Sequence, residues 1–513
     1  MEQTAPEKES SPQTSGPRLP ASYCWFAALI AVAASVLWLL AHFKLRAPVL
    51  FDLDEYYHLA VSRRIMSGGF PASLPFKFSM LGEFYADKDL LLHIITIPFL
   101  ALCREPLTAA KLASLFMDAA LLAALFALLR RYAGNAAAVL GAAVLSSPIF
   151  LMYSMYLRPA AAAIILTLAG LHFMAGKRKW PLFAVCALFA LAHVSAFTML
   201  FFAVVCEAIR YARDREFCMD TVAYSLLGLA AGYLVHPNFP LIVAVTYINA
   251  FLTPFYSHSG LRAAFGGELL PLTTAIALKD NVAVFTVFLI MLWGSFALRP
   301  KLSLATMLFT AAAQSYLALA FASARFWHQA LPLALLAAAA FWRDISESAP
   351  ERKRARTLLA GAWIAMLAVS IPPAFLNVSD RVRRKTEFAL PVQQAAQWLE
   401  GRLPSGELIY HSMWSDSHIL MFYNPDLTYI NALDPMYMYY VKPKAAEVYD
   451  MLGSGMITEQ YKVIRDVFGA KYGFTLKIAG FHKRVAPDKR FRTLFENSAA
   501  VIFTIDDSPA AKK

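Results

Sequence analysis

Charge is scarce in this sequence. Only 16% of its 513 residues are Asp, Glu, Lys or Arg, while 59% are hydrophobic. A water-soluble domain carries about 25% charged and about 45–50% apolar residues. One core cannot hide that excess, so most of the chain is expected to be solvated by lipid. Cysteine is sparse as well. Cys24, Cys103, Cys186, Cys206 and Cys218 lie in or beside apolar runs, without metal-ligand spacing. None falls in the C-terminal part, so no disulfide is available there, and the five read as small buried hydrophobes. No internal repeat is visible, whereas transporters are often built from repeated halves. Acids are the scarcer sign, leaving a net charge of +12. The Lys and Arg residues sit in short loops between apolar runs, where they set orientation. The excess is therefore a topology signal, and no nucleic-acid partner is expected.

What is present is a succession of apolar runs. Residues 1–20, rich in Ser, Pro, Glu and Gln, read as a disordered cytoplasmic tail. The run at about 22–43 is too long for a signal-peptide core and lacks a cleavage pattern, so it reads as an uncleaved first span. Further runs lie near 107–129, 134–152, 159–176, 180–195, 197–210, 221–236, 281–298, 302–322, 328–342 and 357–376, making about eleven spans. Arg130-Arg131, Lys177-Arg178-Lys179, Arg210 to Arg215, Arg299 to Lys301 and Arg352 to Arg356 all fall on one side of such a layout. The positive-inside rule then places the N-terminus in the cytoplasm and the C-terminus outside it. Two external segments are long, at about 44–90 (extending to 106) and about 237–280. Their aromatic and apolar content predicts ordered loops at the membrane interface.

From about 380 the pattern changes. Gln393 to Leu399 and Val463 to Phe468 have helical spacing, while Glu407 to Tyr410, Lys471 to Thr475 and Val501 to Ile505 read as strands. The expected organisation is an α-helical polytopic membrane region over 21–376, with the external loop 44–106, followed by an extracytoplasmic α/β domain over 377–513.

The polar residues crowd the external face. Phe51-Asp52-Leu53-Asp54-Glu55-Tyr56-Tyr57-His58 follows the first span, with three carboxylates in four residues. Packed carboxylates repel, and a cation relieves that repulsion. In an extended segment Asp52 and Asp54 point the same way; alternatively they cap a helix starting near Tyr56. The same loop ends in Asp87-Lys88-Asp89 and His93. Convergence of the two clusters suits a general base beside a cation. Arg158, His193, Arg325 and His328 lie at the external ends of later spans, and Arg forks onto phosphate. Together they suit an anionic lipid-linked molecule. Asp118 is isolated within a span, a functional position by default. Trp414, Asp416, Phe422, Tyr423 and Asp434 form an aromatic and acidic stretch that suits sugar, or the turns of the α/β domain.

Asp54-Glu55-Tyr56-Tyr57-His58 resembles the Asp-Pro-Tyr-Tyr-His motif of oligosaccharyltransferase catalytic subunits, with Glu55 in place of Pro. Those enzymes belong to the GT-C superfamily of membrane glycosyltransferases, alongside protein O-mannosyltransferases and aminoarabinose transferases. Trp414-Ser415-Asp416 resembles the start of the oligosaccharyltransferase acceptor motif, although the residues after it differ, and Tyr156-Leu157-Arg158-Pro159 lacks the acid of a second metal-binding motif. The resemblance implies a transferase using a polyprenyl-phosphate-linked sugar and a glycan, lipid or protein acceptor at the extracytoplasmic face of a bacterial inner membrane. It implies Asp54 as the catalytic carboxylate, with Asp52 and Asp87 as alternatives. Asp52 and Asp54 are the implied ligands of a divalent cation, Mg or Mn. Arg325 is the implied donor-phosphate residue, with Arg158 and His328 beside it; Glu55, His58, Asp89, His93, His193, Trp414 and Asp416 complete the candidate site. The other reading is a transporter or flippase of lipid-linked sugar.

Overall fold

The computed structural model describes residues 21–259, 264–348 and 350–505. The tail expected over 1–20 lies outside them. The apolar stretches picked out above are helical, beginning with Ala21–Arg46 and ending with Lys353–Trp398. Among the described residues, five helical runs are long and apolar enough to cross a bilayer: Tyr23–Arg46, Pro106–Ser146, Val194–Asp214, Leu304–Ala322 and Lys353–Trp398. A sixth arises if Thr274–Asp280 and Val282–Leu298 count as one span bent by 77°. Buried Asp280 anchors that bend through an ion pair with Arg381. The other helices are shorter and pack by close approach. Gly228 and Gly232 let Asp220–Leu234 lie against Lys179–Ala192; a Cβ at either would come within 2.4 Å of the Phe183 or Ala187 carbonyl oxygen. The stretch expected as one span at 134–152 is broken. Gly134 takes a positive φ of 57°, and Ser147 caps a new helix, Pro148–Ser154, that starts on a proline. Asp118 is paired: Lys44, buried at the end of the first helix, forms an ion pair with it and donates to Ser114 Oγ at 2.7 Å.

The segment after the first span is mostly helical, with Leu53–Gly68 and Leu90–Leu102 at its ends. The last of these runs, Lys353–Trp398, continues unbroken for 46 residues, without a break at 377, and carries the chain into a five-stranded sheet. The strands are β1 (Leu408–His411), β2 (Thr428–Tyr429), β3 (Tyr472–Leu476), β4 (Phe491–Glu496) and β5 (Ala500–Ile505), in the order β2-β1-β3-β5-β4. The first three are parallel; β5 is antiparallel to both β3 and β4. Strand β4 went unread because its Arg492, Thr493 and Glu496 are polar and it sits at an edge. The opposite edge is covered by the segment that follows the first span. Tyr429 N–H donates to the Pro75 carbonyl at 2.8 Å, and Lys77 N–H donates to the Tyr429 carbonyl at 2.9 Å. An unpaired edge invites foreign strands; here residues 75–78 close it and dock the sheet on the membrane region.

Candidate active site

The site is built on the first turn of helix Leu53–Gly68. Asp52 is its N-cap, in extended conformation, and Glu55 completes a capping box with it. The capping alternative therefore holds, with the helix starting three residues before Tyr56. Glu55 is buried and structural. Its carboxylate accepts the N–H groups of Phe51 at 2.9 Å, Asp52 at 3.0 Å and Leu157 at 2.9 Å. Burial pushes its carboxyl up to about 7, against the pull of these donors. The bond to Leu157 carries the next residue, Arg158, onto the same helix terminus.

Arg158 is the hub. Its guanidinium forms ion pairs with Asp52 and Glu268, and with Asp54 Oδ2 at 2.7 Å. Glu268 also binds Arg325 at 2.8 Å. The other oxygen of Asp54 lies 3.2 Å from His418 Nδ1. Leu433 N–H donates to His418 Nε2 at 3.0 Å, so the neutral ring carries its proton on the Nδ1 facing Asp54. Burial alone would raise Asp54, but Arg158 and His418 outweigh it and hold the carboxyl well below the usual range. Burial and the neighbouring Asp54 push Asp52 up, although Arg158 opposes them. Glu268 is held down to about 2 because Arg158 and Arg325 overcome its burial. Despite its acidic neighbours, Asp54 is a firmly ionised carboxylate.

A second cluster stands one helical turn away. His93 Nδ1 is 2.7 Å from Asp87 Oδ2, and His93 Nε2 is 2.9 Å from His58 Nδ1. Asp87 is locked by its neighbours. Its backbone N–H donates to Asn238 Oδ1 at 3.1 Å, and its carbonyl accepts from His236 Nε2 at 3.0 Å. Lys88 pairs with Asp89 at 2.7 Å, which holds Asp89 down to about 2 against its burial. The two acidic ends of the first external segment do come together, on helices Leu53–Gly68 and Leu90–Leu102.

Several expected residues have other roles here. Arg158 is engaged by carboxylates, which leaves Arg325 as the phosphate candidate. His328 is buried, stacked on Tyr153 at 5.6 Å, with both ring nitrogens unpartnered, and it lines a small cavity beneath Arg158. His193 bonds locally to Ser195 Oγ at 2.7 Å. Trp414 Nε1 donates to the Ala264 carbonyl at 2.5 Å, pinning the loop that bears Glu268. Asp416 is fully buried and accepts from Met413 N–H at 3.1 Å; burial pushes it up to about 8, so it turns the chain and does not face a sugar. The metal reading at Asp52 and Asp54 does not fit. Their oxygens converge on a guanidinium nitrogen, and among the described residues no three His, Cys, Asp or Glu side chains are arranged around a metal position. Sequence reasoning missed Glu268 and His418. Glu268 had a signal: it and Asp280 are the two acids of the long segment 237–280.

No family model and no curated protein matches the sequence. Solved structures do. ArnT from Cupriavidus metallidurans, bound to undecaprenyl phosphate, aligns over 94% of this chain and 98% of its own, with TM-score 0.58 and 14% identity. The oligosaccharyltransferase AglB from Archaeoglobus fulgidus, in complex with an inhibitory peptide and a dolichol-phosphate, aligns over 96% of this chain and 75% of its own, with TM-score 0.63 and 12% identity. Another structure of the Archaeoglobus oligosaccharyltransferase is a complex with Zn and sulfate. The mycobacterial arabinofuranosyltransferase AftD aligns over 94% of this chain and 40% of its own, with TM-score 0.52 and 14% identity. The chain has the GT-C fold. With five helical runs among the described residues long and apolar enough to cross a bilayer, the chain is a multi-pass membrane protein.

Proposed function

We propose that this protein transfers a sugar from a polyprenyl-phosphate donor to an acceptor on the extracytoplasmic face of a bacterial inner membrane. The observation that carries the reading is the linkage Asp54–Arg158–Glu268–Arg325, which ties an ionised carboxylate through two ion pairs to Arg325, whose one ion pair among the described residues is with Glu268. The donor phosphate replaces Glu268 on Arg325, forked by two N–H groups. The bond between the anomeric carbon and the phosphate oxygen breaks, and the phosphate leaves with the electron pair, stabilised by Arg325. The acceptor oxygen or nitrogen bonds to the anomeric carbon and gives up a proton. Asp54 orients that nucleophile and offsets the positive charge growing on the sugar. No step is routed through a metal. The GT-C neighbours support transfer over the transporter or flippase reading.

Arg325→Ala is expected to weaken binding of undecaprenyl phosphate by about 2 kcal/mol, roughly 30-fold, the low end for a charge partner because Arg325 is 35% exposed. Arg325→Lys restores part of this, since Lys cannot fork. Unchanged affinity in the Ala variant, measured in detergent by fluorescence competition, assigns the phosphate elsewhere. The orientation has its own test. A phosphatase reporter fused after Lys513 is expected to be active, and a reporter active only in the cytoplasm reverses the topology.

A further inference from the structure

The chain Asp87–His93–His58 takes no part in the reaction as described so far, yet its donors and acceptors give it a direction. A carboxylate oxygen accepts, so His93 Nδ1 donates to Asp87 Oδ2 at 2.7 Å. In the tautomer with its proton on Nδ1, His93 offers Nε2 as an acceptor, and His58 Nδ1 donates to it at 2.9 Å. His58 is left with a lone pair on Nε2. That nitrogen has no hydrogen-bond partner among the described residues, and His58 as a whole is buried, 3% exposed. His58 lies one turn beyond Asp54 on the same face of the helix. Neither Asp54 nor Asp89 comes within the 4.0 Å ion-pair distance of it.

We propose that this chain is the proton exit of the transfer reaction: the acceptor's proton passes to Nε2 of His58 as the Nδ1 proton of His58 moves to His93 Nε2 and that of His93 to Asp87 Oδ2. The inference rests on the transferase reading above. Only N–H and O–H bonds change along the chain. The net result neutralises one buried carboxylate and creates no cation. This matters because burial holds His58 down to about 3, so an imidazolium resting there is costly. The charged groups around His58 are Asp89, Lys88 and Asp54, with His93 against its ring. Lys88 and Asp89 pair with each other, so their fields on His58 largely cancel. Asp54, held far below neutrality by Arg158 and His418, is a poor base. The bond to Asp87 also fixes His93 in the tautomer that leaves Nε2 free to accept.

The test uses the full chain in lipid nanodiscs, with undecaprenyl phosphate carrying single radiolabelled sugars as a donor panel. His58→Gln is expected to lower transfer at least about 100-fold, with undecaprenyl phosphate affinity unchanged. Asp87→Asn is expected to lower it at least about tenfold. It also moves the acid limb of the pH–rate profile to lower pH, because losing an anion makes the imidazoles less basic. A merely structural role leaves that limb in place. If His58→Gln and His93→Gln transfer at the wild-type rate while Asp54→Asn is dead, the relay is wrong and the transferase reading stands. If the wild type transfers nothing from the whole panel, the transferase reading and the relay fall together. A second measurement needs no variant to fold. In ¹⁵N-histidine spectra of the wild type near neutral pH, His58 is expected to carry its proton on Nδ1; a proton on Nε2 overturns the relay.

Discussion

Asp54→Asn is expected to insert and fold normally and to transfer sugar at least about 100-fold more slowly. The side chain keeps its shape, and its amide oxygen still accepts one of the two bonds now supplied by Arg158 and His418. What disappears is a full negative charge beside the anomeric carbon, in a site where burial strengthens every electrostatic term. The fair comparison sets Asn at positions 52, 54 and 87 against the same donor. Asp52→Asn keeps an N-cap acceptor but removes a charge partner of Arg158, so its loss is expected in stability first. Should Asp54→Asn run at the wild-type rate while Asp87→Asn is dead, the essential carboxylate is Asp87. Full activity in all three removes the first external segment from the chemistry.

The largest effect on folding is expected from Arg158→Met. Three carboxylates meet at this guanidinium, and Glu268 alone keeps a second cation, Arg325. Breaking a buried charge cluster from one side costs about 3–5 kcal/mol; these carboxylates are partly exposed, so about 3 is expected. The pH dependence has a definite sign. In the wild type, Asp54 and Glu268 are depressed, so their stabilisation is present above their ordinary 3.8 and 4.5 and is lost as pH falls through the folded values. In the variant, the acids face one another without Arg158, and their values rise above the ordinary ones. The deficit is therefore greatest at neutral pH and shrinks on acidification. Thermal unfolding at about pH 7.5 and pH 5.5 reads this directly; an equal deficit at both means that Arg158 acts by packing alone. Arg158→Lys should recover part of the stability and not the geometry.

Much of this was readable from residue order. The apolar runs and the basic loops between them outlined the helical layout because lipid leaves so few alternatives for a backbone. The two acidic ends of the first segment were visible as clusters, and their meeting was a fair inference from loop length. Their partners were not visible. Arg158 stands where a snorkelling residue was equally reasonable, and only the bond from Leu157 to Glu55 turns it inward. Glu268 and His418 come from segments more than 200 residues away from Asp54, and nothing local marks either as a partner of that acid. Likewise, the break at Ser147 turns on a single cap followed by proline, which a hydropathy run averages away.

The edge pairing of residues 75–78 with β2 has a temporal side. A ribosome adds about 5–20 residues per second, and β2 is made about 350 residues after its partner. For some tens of seconds the early segment waits outside the membrane with its backbone groups open. The late strands then arrive to find their template already in place. A chain that stops after its last span is thus an arrested intermediate, with a raw edge where the sheet should be, and quality-control proteases would meet it as unfolded protein.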